Sequence, residues 1–172
     1  MWISLLSAVL GGGFALAGAW LTQSYNRKNA ISQREHDRWK ANRELYIAKG
    51  EELSSTFDEW IENNHQLHLL HTFGILGTKE TGQVTVESMK FVNKALQPRI
   101  RTLSSLYFVE LYDLHASISK LNLEAMMIYG KYLANEIDKS SAVIEIQEKI
   151  KKISQEADSF RLKLTAEIKK HI

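Results

Sequence analysis

The chain has 172 residues, with 22 Lys/Arg, 20 Asp/Glu and no cysteine. That length admits one domain plus an appendage, with a modest helical core. The missing cysteine excludes disulfides and thiolate metal or nucleophile sites, and a net charge of +2 excludes a strongly basic or acidic body.

Along the chain the charge is uneven. Seven Lys/Arg and three acids fall in residues 24–50, a local +4, which leaves −2 for residues 51–172. Ahead of that basic stretch, Trp2 to Tyr25 is a run of 24 residues without a charge. As a helix it would be roughly 36 Å long at about 1.5 Å per residue. That is enough to span a hydrocarbon core with some tilt. Trp2 and Trp20 sit near its ends, where amphipathic rings favour the membrane interface. The Lys/Arg excess follows the run, so the positive-inside rule puts the N-terminus outside and the bulk of the chain in the cytoplasm. Two other readings compete. Small residues at Ala17–Ala19 could mark a signal-peptide cleavage site, but the run has no basic leader. It could also be a buried helix of a soluble protein, for which so long an uncharged run is unusual.

Within the run, Ser4, Ala8, Gly11, Ala15, Gly18 and Thr22 recur at steps of four and three, making one helix face small from end to end. Lipid supplies no hydrophobic drive between helices, so close backbone packing along small residues supplies it instead. This face is the expected site of self-association. Leu10, Gly13, Phe14 and Ala17 lie mid-span and are the candidate lining of any pore. The middle of the span is apolar, so such a pore would gate by dewetting.

From Asn26 to about Thr72 the pattern stays helical, with Gly50 its only breaker, and the anchor is expected to run on into a long cytoplasmic helix. Arg27, Lys28, Arg34 and Arg38 are the candidate lipid head-group contacts. No aromatic base-stacking pattern accompanies them, which disfavours nucleic acid. Gly74, Gly77 and Gly82 predict a loop over 73–83, followed by a short helix over about 85–96 that ends at "QPR". Leu103, Tyr107, Leu111, Leu114, Ile118 and Leu121 begin a period of four and three that predicts one helix over 99–136. Val143, Ile146, Ile150, Ile153 and Ala157 predict another over 139–171, with a cap at Asp138 or Ser140. These two form an antiparallel heptad hairpin. The expected fold class is therefore all-α: a transmembrane helix (1–25), a basic juxtamembrane and long cytoplasmic helix (26–72), and the rest of a helical bundle (73–172).

Catalytic chemistry is hard to place. Glu62 and His65 have the i, i+3 spacing of di-iron bundles, but the second such pair is missing, since Glu110 and Asp113 stand at other spacings from His115. His65 and His71 point to different faces of a helix, so with His68 they cannot share one metal. Histidines near a loop are expected to be interfacial or solvated. The arginine-to-histidine signature of the HEPN ribonucleases is absent, as Arg34 precedes His36 by two residues and Arg161 precedes His171 by ten. No phosphate-binding glycine loop and no Ser/His/Asp set occurs, so no enzyme activity, metal or cofactor is expected.

"GGGFALAGAW" followed by "NRK", ahead of an all-helical remainder, resembles small bacterial inner-membrane proteins found beside antiphage defence systems. Nearest are the pore-forming accessory proteins of type VI CRISPR systems, with their divergent HEPN-like domain. The resemblance implies a homo-oligomer that permeabilises the inner membrane during infection, and a possible protein partner from the defence system. A membrane-tethered adaptor that recruits a cytoplasmic partner without a pore is the alternative.

Overall fold

The computed structural model describes the backbone of residues 2–171 and the side chains of residues 18–171. Every regular element among them is helical: α1 (Trp2–Leu76), α2 (Thr81–Ser88), α3 (Leu96–Tyr107), α4 (Tyr112–Leu133) and α5 (Lys139–Lys169), with 3-10 turns at Met89–Phe91 and Val109–Leu111. The all-α expectation holds. Among the described residues no helix is long and apolar enough to cross a membrane. Most of the uncharged run, through Ala17, lies outside the described side chains, as do Ser4, Ala8, Gly11 and Ala15 of the small face and Leu10, Gly13, Phe14 and Ala17 of the candidate lining.

The chain divides into two units, Met1–Leu45 and Tyr46–Ile172. The first is the N-terminal part of α1, and its described side chains are nearly all exposed.

The second unit holds the core. Leu53, Phe57 and Trp60 of α1 pack with Ile100 and Leu103 of α3, Ile118 and Ala125 of α4, and Ile146, Ile153 and Phe160 of α5. Phe57 stacks on Phe160 at 3.9 Å, and beside them Arg161 donates to Asp58 at 2.8 Å, so α5 runs back along α1. Lys149 of α5 pairs with Glu124 of α4, closing the antiparallel hairpin from the other side.

Four boundaries differ from the sequence expectation, each for a local reason. First, α1 continues to Leu76, through Gly74, where a loop over 73–83 is expected. It stops at Gly77, whose φ of +77° suits glycine. The Gly77 N–H donates to Gly74 O and the Thr78 N–H to Phe73 O, at 3.1 and 3.0 Å, the paired bonds of a Schellman cap. Second, the short helix covers Thr81–Ser88 instead of 85–96. Third, "QPR" begins a helix instead of ending one. Pro98 is the third residue of α3, a position whose N–H has no intrahelical acceptor in any helix, so nothing is lost there. Fourth, the helix expected over 99–136 is two helices, α3 and α4, parted at Phe108 (φ −133°, ψ 58°) and the 3-10 turn after it. The period Leu103, Tyr107, Leu111 gives no sign of this break, because Leu103 and Leu111 are buried on either side of it and Tyr107 is half-buried. Asp138 is the cap of α5, accepting from the Ser140 and Ser141 N–H groups at 2.8 and 3.0 Å.

Gly50 and Gly74 lie inside α1 because neighbours sit on them. A Cβ on Gly50 would fall 2.4 Å from Ile168 Cδ1, and one on Gly74 would fall 2.9 Å from Tyr129 Oη. Both read as breakers in the sequence, and both are points of close approach.

Candidate functional site

In the first unit, Arg27, Lys28, Arg34 and Arg38 are all exposed. Arg27, Arg34 and Arg38 recur at steps of seven and four, so they share one side of α1. Among the described residues none of the four has a carboxylate within ion-pair distance, whereas Lys40 faces Glu44 at 4.0 Å. A row of unneutralised cations can bind a polyanionic surface without first breaking an internal pair. Trp20 and Tyr25 lie just ahead of that row, 69 % and 68 % exposed. Further along, Trp39 stacks with His36 and lies under the Arg43 guanidinium, 5.6 Å from the ring centre.

Two members of the small face are described. The Thr22 hydroxyl donates to Gly18 O at 2.9 Å, so its polar group is satisfied within the helix, as a nonpolar setting requires. A Cβ on Gly18 would meet nothing within 4 Å. In contrast to Gly50 and Gly74, no contact among the described residues accounts for its small size.

The second unit contains a polar seam that sequence reading misses. Three α1 residues meet three α4 residues spaced seven apart. Trp60 lies 5.2 Å from His115, His68 Nε2 donates to Asn122 Oδ1 at 2.9 Å, and His71 stacks on Tyr129 at 4.4 Å. The paired numbers rise together, so α1 and α4 run parallel here, and each layer holds one histidine. His68, His71 and His115 are 1 %, 7 % and 3 % exposed, whereas interfacial or solvated rings are expected near the loop; of the three histidines in that stretch, His65 alone is exposed. Asn122 donates in turn to Ile118 O at 3.1 Å, and Thr72 donates to His68 O at 2.9 Å.

Burial holds all three imidazoles neutral. It lowers His71 and His115 from 6.5 to about 4, assisted by His68 beside the first and Arg101 beside the second. Burial also lowers His68, against the opposing pull of its bond to Asn122. No ion pair among the described residues involves these rings, and His68 Nδ1, His71 Nδ1 and His115 Nε2 have no hydrogen-bond partner. Glu62, Glu110 and Asp113 are exposed. Among the described residues no group of three His, Asp or Glu could hold a metal ion. The seam therefore joins α1 to α4 through buried, neutral rings. The missed signal was the seven-residue spacing of His115, Asn122 and Tyr129, one position round from the apolar period.

No protein-family model, no curated protein and no solved structure matches the chain.

Proposed function

We propose that the chain is a membrane-anchored, homo-oligomeric helical effector that forms or gates a pore in the bacterial inner membrane. The setting is the antiphage defence its resemblance implies. One observation carries the reading: in α1 an uncharged run passes directly into exposed Arg27, Lys28, Arg34 and Arg38, none paired with an acid among the described residues. Such an arrangement suits an apolar span with lipid phosphates at its cytoplasmic border. The unexplained smallness of Gly18 supports self-association of the anchors.

The test is expression in bacteria with a membrane-potential dye. Serine and asparagine variants at Leu10, Gly13, Phe14 and Ala17 should hold water mid-membrane and depolarise cells without a trigger. The Gly11→Leu, Gly18→Leu pair should insert but lose its crosslinked ladder. If every polar variant inserts and assembles and none depolarises, the pore reading fails. The adaptor reading would then take its place, supported by the apolar side chains the second unit exposes at Leu123, Met126 and Met127. A chain found only in the soluble fraction would defeat both.

A further inference from the structure

α4 has a second heptad face. Ala116, Ser119, Leu123, Met126, Gly130 and Leu133 follow one another at steps of three and four, without a charge, about a third of a turn from the core face of the same helix. None is buried; Leu123, Met126 and Leu133 are 58 %, 42 % and 45 % exposed. Scattered exposed apolar residues need no explanation, but a continuous heptad row is the pattern of a helix that packs against another helix. Among the described residues no helix covers it.

We infer that this face pairs with the same face of a second copy, α4 against α4, antiparallel about a twofold axis. The row is complementary to itself. Centred between residues 124 and 125, an antiparallel register sets Leu123 against the partner's Met126 in the middle. Ser119 then meets the partner's Gly130, and Ala116 the partner's Leu133. The large pair supplies apolar area, and the flanking small pair lets the backbones close. The Ser119 hydroxyl already donates to His115 O at 2.8 Å, so covering it strands no polar group. Beside the row, a groove of about 430 Å³ opens between α1, α3 and α4, lined by Trp60, Asn64, Gln97, Lys120, Leu123 and Met126. Met126 of the other copy, with its flexible thioether, has the shape to enter that groove. On the free flank, Lys120 comes opposite the partner's Met127 and Asp113 opposite the partner's Ala134, so no like charges meet. One surface supplies both knob and hole, which is the requirement of an isologous contact.

This inference takes self-association from the proposed function and gives it a second face, one that does not involve the anchor. The chain has no cysteine, so introduced cysteines report cleanly. In the full-length, detergent-solubilised protein, a mixture of Leu123→Cys and Met126→Cys chains should oxidise mainly to the mixed disulfide. Leu162→Cys, 74 % exposed on α5, should stay uncrosslinked. Leu123→Glu should halve the native mass of the pair with helicity and melting temperature unchanged. A Leu123–Leu123 product exceeding the mixed one would overturn the antiparallel register, and no crosslink above the Leu162→Cys control would overturn the contact. These readouts do not involve insertion or depolarisation, so the pairing and the pore reading can fail separately.

Discussion

The polar seam between α1 and α4 should make the protein acid-sensitive over a window set by its histidines. His71 and His115 sit near 4 in the folded chain and at 6.5 when exposed to water. As the pH falls below about 7, the unfolded chain takes up protons that the folded chain refuses. Stability is thus full above the unfolded value and declines until about 4. Linkage makes the loss about 2 kcal/mol per histidine between pH 7 and pH 5, or about 4 kcal/mol for the two. His68 shifts in the same direction and steepens the slope. Glu52, held below the usual carboxylate range by Lys49 and Arg99, adds its own loss only as the pH falls through that ordinary range, at the low end of this window. Urea unfolding of the solubilised chain at several pH values, followed by circular dichroism, measures the slope. The His71→Phe, His115→Phe double variant keeps both aromatic contacts and should flatten most of it. A loss under about 1 kcal/mol from pH 7 to pH 5, or an equal slope in the double variant, would refute the seam as its origin.

Two stability predictions follow from backbone and packing. Gly50→Leu should destabilise by about 2–4 kcal/mol, because the new side chain must displace Ile168 from its seat on the helix, and the same urea titration reads it. Asn135 ends α4 with a φ of 58°, its N–H donating to Tyr132 O at 3.0 Å, so Asn135→Gly should gain up to about 1 kcal/mol while Gly77→Ala loses about 1 kcal/mol, both measured as shifts in thermal unfolding.

Periodicity carried the helical class and the hairpin. The rows from Leu111 to Tyr132 and from Val143 to Leu164 repeat at the helical period and bury largely as that repeat implies. Asp138 was legible as a cap because a short acceptor before a helical run has few other uses. The break at Phe108 was not legible: no glycine or proline marks it, and its neighbours keep facing the core. Gly74 misled because a helix loses stability at glycine in isolation, and only the third dimension shows Tyr129 lying over it, as Ile168 lies over Gly50. The histidines misled similarly. A polar type near a loop suggests solvent, yet Asn122 and Tyr129 on α4 and Trp60 on α1 give these a buried setting. Nothing in one sequence sets those partners beside them.

The stacking of Phe57 on Phe160, and the seat of Ile168 on Gly50, join the two ends of the second unit. Asp58 and Arg161, which flank that stack, stand 103 residues apart. A ribosome adding roughly 5–20 residues per second needs on the order of 5–20 s to make the intervening chain. Throughout that interval Leu53, Phe57 and Trp60 have emerged, while the α5 side chains that cover them do not yet exist. The hairpin of α4 and α5, local in sequence, can close within moments of its own synthesis. The α1 half of the core must wait for α5, so it is the part most in need of a chaperone and the first exposed by any truncation near Leu164.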